Sequence, residues 1–315
     1  MDVRIAAVFP GQGSHRAGAL DPWLGHPAAD LLEAIDRGVG RDVLALTRDE
    51  SAGGRTADAQ PAIFAVSMVA WRALQDAGVH VDVVAGHSLG EYTAATAAGC
   101  LDVVDGAAVV AARGHAMGRA CAEHPGTMAA VVRLAPDVVE ALVAQIDGLV
   151  VANDNAPGQV VVAGPPEAIA AVSELAREAG GRAIALDVEG AFHSSAMASA
   201  VEPVAQALEA AATRDPAVPI VSGSTGATVE SAEGVVAALV DGILSPVRWR
   251  DVQDTLGAHG ITDLVEVGPG GVLAGMARRA LPDVTVHSVQ TPDDLDTVAA
   301  ALAGAVSSDS TEETQ

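Results

Sequence analysis

The stretch Val83-Val84-Ala85-Gly86-His87-Ser88-Leu89-Gly90-Glu91-Tyr92 constrains this chain more than any other. An apolar run leads into Gly-x-Ser-x-Gly, and an Ala-rich, helix-compatible segment follows. That is the order a nucleophile elbow needs: a strand, a sharp turn presenting a serine, then a helix. Gly86 and Gly90 lack a Cβ, so strand and helix can approach closely around a strained Ser88. The helix would begin at Ser88, with free N–H groups and the positive end of its dipole near the Oγ. So short a pattern also arises by chance, and the strand-to-helix context carries the weight.

The rest of the chain supplies a frame for such a turn. Ile5 to Phe9 reads as a short strand, broken by Pro10-Gly11-Gln12-Gly13-Ser14-His15. Residues 28–50 alternate helical pattern with polar breaks. Gln60-Pro61 opens a long apolar helix through about Asp76, and a second helix from about Val104 to Cys121 carries Arg113. From about Thr127 the pattern changes. Strands at Met128–Leu134, Leu149–Asn153, Gln159–Ala163 and Arg182–Val188 alternate with helices at Pro136–Ile146 and Pro166–Ala179. This β-α-β-β-α-β order is ferredoxin-like. Beyond it come a helix to about Ala211, strands at Val218–Ser222 and Leu264–Val267, and a last helix ending near Val306. The expected architecture is α/β. An α/β-hydrolase-like catalytic domain with a parallel sheet spans 1–125 and 191–306. A ferredoxin-like small domain is inserted at 126–190, and an acidic disordered tail occupies 307–315.

Composition excludes several functions. All 17 basic residues are arginine; against 41 acidic ones they leave a net charge of −24. Such a surface repels phosphate backbones and anionic lipid, so neither nucleic acid nor membrane is an expected partner. No run reaches about 18 apolar residues, the length of a membrane helix, and the N-terminus lacks a signal-peptide layout, so the expected location is the cytoplasm. Cys100 and Cys121 have no CxxC spacing and read as small buried hydrophobes; neither a metal site nor a cofactor is expected. Half the chain is hydrophobic but only 2% is aromatic, so the core must be aliphatic and closely packed.

A serine nucleophile needs a base, an oxyanion hole and something to hold the base. Among nine histidines, His193 in Gly190-Ala191-Phe192-His193-Ser194 is the best placed, between a strand and a helix, although a generic histidine is more often structural. Asp154 and Asp187 precede it, but neither lies in a compelling loop. Arg113 on its apolar helix either snorkels, pairs with a core carboxylate, or offers a planar fork to a substrate carboxylate.

Taken together, these segments resemble the malonyl-CoA:acyl-carrier-protein transacylases, including the acyltransferase domains of polyketide synthases. The likeness runs from Val8 to about Asp294. It rests on Phe9-Pro10-Gly11-Gln12-Gly13-Ser14, Gln60-Pro61-Ala62, Gly86-His87-Ser88-Leu89-Gly90-Glu91, Arg113-Gly114 and Asn155-Ala156-Pro157-Gly158-Gln159-Val160. Ala191-Phe192-His193-Ser194, Pro246-Val247-Arg248-Trp249 and Glu266-Val267-Gly268-Pro269-Gly270 complete it. The resemblance implies malonyl-CoA and an acyl carrier protein as partners and a malonyl-Ser88 intermediate; a monomer is the default expectation, since no segment of the sequence marks an interface. It implies His193 as base, the backbone N–H groups of Gln12 and Leu89 as oxyanion hole, and Arg113 for the malonyl carboxylate. Gln60, Asn155 and Phe192 would complete the substrate site. A backbone carbonyl at Arg248 would orient the histidine, so no acidic third member is needed.

Phe192 would fill the space an α-methyl needs, favouring malonyl over methylmalonyl by about 1–3 kcal/mol at most. The small Gly190, where many polyketide malonyl domains carry histidine, leaves larger extender units open. Arg278 and Arg279, with Arg248 or Arg250, would offer an acidic carrier local positive charge. The rival readings are a serine hydrolase clearing acyl groups with water, and a non-catalytic carrier-binding scaffold. The chief objection to the hydrolase is Arg113, and to the scaffold the pairing of Ser88 with His193.

Overall fold

The computed structural model describes residues 4–309. Strand β1 (Ile5–Phe9) is an entirely buried apolar run that ends at Pro10-Gly11. Helices α1 (Leu32–Val39), α2 (Val43–Arg48) and α3 (Thr56–Asp76) follow. Strand β2 (Val83–Gly86) leads through Ser88 into α4 (Leu89–Ala97), and α5 (Val103–Glu123) packs along α3. The next segment holds β3 (Thr127–Val132), α6 (Pro136–Val143), β4 (Val150–Ala156), β5 (Gln159–Gly164), α7 (Pro166–Glu178) and β6 (Arg182–Ala185). The chain then forms α8 (Ala198–Ala210), β7 (Ile220–Val221), β8 (Thr228–Val229), α9 (Ala232–Asp241) and α10 (Trp249–Ala258). It ends with β9 (Asp263–Val267), α11 (Val272–Ala280), β10 (Thr285–Val289) and α12 (Pro292–Asp309).

The fold is α/β with two sheets. The larger has the order β10-β9-β1-β2-β7-β8; all pairs are parallel except the short β7–β8 hairpin at one edge. Its central strands read as continuous apolar runs because helices cover both faces. The smaller sheet is wholly antiparallel, in the order β4-β5-β3-β6. Its edge strand β4 is covered by the chain at Val247. Asp154 N donates to Val247 O and Val247 N to Ala152 O, both at 2.8 Å. Two ladder groups of that edge are thereby satisfied by the loop between α9 and α10.

The core is aliphatic and tight, as composition requires, and the rare aromatics anchor it. Trp23, Trp249, Phe9 and Phe64 are among the largest fully buried side chains. Close helix approach depends on small residues. A Cβ on Gly114 of α5 would come within 3.0 Å of Thr56 O on α3. Among the described residues no helix is long and apolar enough to cross a membrane.

Several boundaries differ from the sequence expectation. Helix α3 begins at Thr56, not Gln60, and Pro61 sits in its second turn, where it forgoes the N–H that would reach Ala57. The earlier start has a tertiary cause: Glu189 Oε2 accepts from Thr56 N at 2.7 Å and caps the helix from across the fold. Strand β6 stops at Ala185 because its partner β3 pairs only over Ala129–Val132. Strands β8 and β10 were not anticipated; β8 is two residues long and β10 is polar in its middle. Helix α12 continues through Ser307–Asp309, where a tail was expected; the remaining tail residues lie outside the described ones.

Candidate active site

The elbow is built by exclusion of Cβ atoms. A Cβ on Gly86 would lie 1.9 Å from the Gly90 carbonyl carbon, and one on Gly90 would lie 2.0 Å from Phe9 O. Only glycine fits either position, so strand, turn and helix close on Ser88. Its backbone takes φ 52° and ψ −105°, a costly conformation for a side chain to hold. It is fixed by His87 N to Phe9 O at 3.0 Å, Gly90 N to His87 O at 2.9 Å and Glu91 N to Ser88 O at 3.1 Å.

Ser88 Oγ meets His193 Nε2 at 2.9 Å. His193 also has positive φ, 57°, in the loop after β6. Its Nδ1 lies 3.0 Å from Gly242 O and 2.9 Å from Ser245 O. Both are carbonyls and can only accept, so Nδ1 carries the proton and Nε2 is free to take one from Ser88. Burial first, then the charge of Arg113 and the neighbouring His87 ring, push the His193 pKa down to about 3. The ring is a neutral base at physiological pH.

The orienting carbonyl is not that of Arg248. Arg248 is the residue preceding α10, and its carbonyl accepts from Val252 N at 3.0 Å as the helix's first-turn acceptor. Its N–H is spent on Gly223 O at 2.7 Å, and its side chain pairs with Asp251 at 2.6 Å. Gly242 and Ser245, at and just beyond the end of α9, take that place.

Arg113 comes through α5 to the other side of Ser88. Its Nη2 donates to Ser88 Oγ at 3.1 Å and its Nη1 to Gln60 Oε1 at 2.7 Å, and its guanidinium stacks on Tyr92 at 4.9 Å. The side chain is buried, and among the described residues its Nε has no partner and no carboxylate reaches it as an ion pair. Glu91 shares its cavity of about 10 Å³, but burial pushes that carboxyl up to about 7. Gln60 is not a wall of either cavity at the site. It is fully buried, with Oε1 on Arg113 and Nε2 on Thr56 Oγ1 at 2.7 Å, so it orients Arg113 instead of meeting a ligand.

A cleft of about 230 Å³ opens on Ser88 and His193 between the two sheets. Gln12, Phe192 and Asn155 line it, as does the apolar face of α11. A Cβ on Gly11 would lie 2.8 Å from His87 O, so the Gln12 loop lies directly against the elbow. Among the described residues, the N–H groups of Gln12 and Leu89 have no backbone acceptor. Asn155 is on strand β4, and its Oδ1 holds His87 Nε2 at 2.9 Å, which fixes that wall. Gly190 does not widen the cleft: a Cβ there would meet Cys121 Sγ at 2.3 Å. Arg278 and Arg279 are exposed in the last turn of α11, with no carboxylate partner among the described residues. Their hydrogen bonds go to Val286 O at 3.2 Å and Gln159 Oε1 at 3.1 Å. Arg250, by contrast, is held by Asp154 at 2.6 Å.

Comparison with known proteins places this geometry. A family model described as acyl transferase domain matches residues 7–314. The chain belongs to the acyl transferase family. This acyl transferase is 40% identical over 306 residues to the malonyl CoA-acyl carrier protein transacylase of Mycobacterium tuberculosis, covering 94% of this chain and 99% of that one. It is 33% identical to the Bacillus subtilis protein of the same name, covering 93% and 95%. Among solved structures, the acyl-carrier-protein S-malonyltransferase of Bartonella henselae superposes with a TM-score of 0.90 at 33% identity, covering 96% and 100%. A malonyl transacylase solved in complex with a type II PKS acyl carrier protein superposes with a TM-score of 0.90 at 32% identity, covering 95% and 99%.

Sequence reasoning missed several parts of this acyl transferase's site. Thr56 Oγ1 links Gln60 to Gln12 Oε1 at 2.7 Å, joining the loop at Gln12 to Arg113. Gly242, Ser245 and Glu189 act through backbone or across the fold, and no local pattern marks them.

Proposed function

We propose that this acyl transferase moves a malonyl group from malonyl-CoA to the phosphopantetheine thiol of an acyl carrier protein through a malonyl-Ser88 ester. One observation carries the reading: a buried arginine with no carboxylate partner among the described residues sits 3.1 Å from Ser88 Oγ. A buried unpaired cation is costly, and a dicarboxylic acyl group brings the missing charge to that spot.

In the first half-reaction Ser88 Oγ attacks the thioester carbonyl while His193 Nε2 takes its proton. The developing oxyanion is received by the N–H groups of Gln12 and Leu89. Collapse breaks the C–S bond, and the coenzyme A thiolate leaves with the proton from His193. In the second half the carrier thiol gives its proton to His193, attacks the ester, and Ser88 recovers its hydrogen. Acyl transfer between thiols needs no external redox or energy donor, so no cofactor enters. The carbonyls of Gly242 and Ser245 hold Nδ1–H throughout, doing the orienting work of a triad acid.

Arg113 opposes the imidazolium that forms on His193. A malonyl carboxylate taking the place of Ser88 as partner of Nη2 cancels that repulsion, so selection for malonyl acts on the chemical step as well as on binding. Phe192 at the cleft wall limits branching at the α-carbon. The strand order and antiparallel pairing of residues 126–190 support an inserted ferredoxin-like small domain; the parallel sheet and elbow of 1–125 and 191–306 support an α/β-hydrolase-like catalytic domain. In this reading a monomer is the working unit.

Intact-protein mass after brief exposure to malonyl-CoA, methylmalonyl-CoA and acetyl-CoA tests the scheme. A malonyl adduct on the native chain, absent from Ser88→Ala, is expected. Free malonate accumulating without an adduct and before any carrier is added would instead identify a hydrolase.

A further inference from the structure

Helix α4 carries the nucleophile at its start and two buried polar side chains one turn later. Glu91 Oε1 accepts from Gly223 N at 3.0 Å, in the turn between β7 and β8. Its other oxygen lies against Gly223 and Gly242: a Cβ on those residues would come 3.0 and 3.7 Å from Oε2. Tyr92 Oη donates to Leu239 O, in the last turn of α9, at 2.6 Å. Gly223 in turn accepts from Arg248 N at 2.7 Å, which closes the far end of the 242–248 loop. That loop supplies the two carbonyls on His193 Nδ1. None of these contacts touches a reacting atom, and Glu91 has no part in the mechanism above.

We propose that Glu91 is a positioning residue for His193: it clamps Gly223 and the 242–248 loop, and so fixes the carbonyls of Gly242 and Ser245 that hold Nδ1. Other members of this class of chemistry place a carboxylate directly on the histidine. Here the carboxyl acts one step away, through backbone, and stands on the same helix as the nucleophile. Base and nucleophile are thus referred to one rigid element. The ligating atom needed from Glu91 is an oxygen that accepts from Gly223 N, whether the group is ionised or not. Glutamine supplies the same atom and alanine does not.

This inference rests on His193 being the base for Ser88, and the experiment separates the two. Single-turnover acylation of Ser88 by malonyl-CoA is followed by quenched intact mass in the native chain, Glu91→Ala and Glu91→Gln. In parallel, the low-field proton resonance of His193 Nδ1–H is recorded without substrate. Glu91→Ala should slow acylation by about 10–100-fold, the size of loss expected when reacting groups are misplaced by ångström-scale shifts. It should also shift or broaden the resonance. Glu91→Gln should keep both within about threefold of native, since its carbonyl oxygen accepts as well as a carboxyl oxygen does. If Glu91→Ala does not fold, Gly223→Ala replaces it. The added Cβ would lie 3.0 Å from Oε2 and 3.2 Å from Gly86 O, and by displacing Glu91 should slow acylation and move the resonance alike. Native-like acylation and resonance in either variant overturn the proposal, as does a Glu91→Gln protein as slow as Glu91→Ala. No malonyl adduct on the native chain would overturn the malonyl reading instead, while the resonance still reports on the clamp.

Discussion

Arg113 narrows the chemistry more than Ser88 does, because a serine–histidine pair serves many acyl groups and a buried guanidinium serves few. Arg113→Ala should cost malonyl acylation about 2–4 kcal/mol, as loss of a buried charge partner does, and acetyl acylation much less. Parallel adduct yields from the two thioesters check this; equal losses would place Arg113 in the scaffold. The same variant removes a cation that disfavours the imidazolium. The His193 pKa, held at about 3, should therefore rise, and the acid limb of the acylation profile should move to higher pH. Glu91 offers a test through stability. Burial lifts its carboxyl from the ordinary 4.5 to about 7. The folded state holds that proton more tightly than the unfolded one, so its stabilising effect is complete below about pH 4.5 and is lost as pH rises through 7. Glu91→Gln cannot lose a proton. It should melt above the native chain at pH 8 by an increment worth ~3 kcal/mol, and show little of that gain at pH 5. Melting curves at the two pH values decide it.

At the level of elements, the elbow was legible because its requirement is local: two glycines, a strand before them and a helix after. Gly90→Ala places a methyl 2.0 Å from Phe9 O, where only backbone can yield. The expected outcome is a loss of more than about 3 kcal/mol, the upper range for single substitutions, read by chemical denaturation. A variant as stable as the native chain would mean that β1 and α4 are less tightly joined than their geometry indicates. The helical and strand periods of the small sheet were also local, and its element order emerged nearly complete. The boundaries that shifted were those set at a distance. Thr56 starts α3 because Glu189 caps it, and β6 ends with its partner. The orienting carbonyl was placed at Arg248, near in sequence to the true pair. A carbonyl carries no residue signature, and the one at Arg248 is consumed by its own helix.

At the scale of the whole molecule, a net charge of −24 must be reconciled with an acidic carrier. Of the four arginines considered for docking, Arg248 and Arg250 are neutralised by Asp251 and Asp154, while Arg278 and Arg279 have no carboxylate partner among the described residues. They stand on the helix whose apolar face lines the cleft. Reversing both to glutamate should raise the apparent KM for carrier protein and leave Ser88 acylation by malonyl-CoA unchanged, because rim charges steer association. Unchanged carrier kinetics would move the docking face elsewhere. The sequence by itself marked out the α/β class and singled out Ser88, His193 and Arg113 as candidates, because each stands within a short, physically restrictive pattern. Tertiary structure alone decided how they work. It brought His193 to 2.9 Å from a serine 105 positions earlier, gave its Nδ1 to two carbonyls, and left Arg113 without a carboxylate partner among the described residues. Backbone acceptors, distant caps and missing partners are properties of packed neighbours, and no stretch of chain encodes them alone.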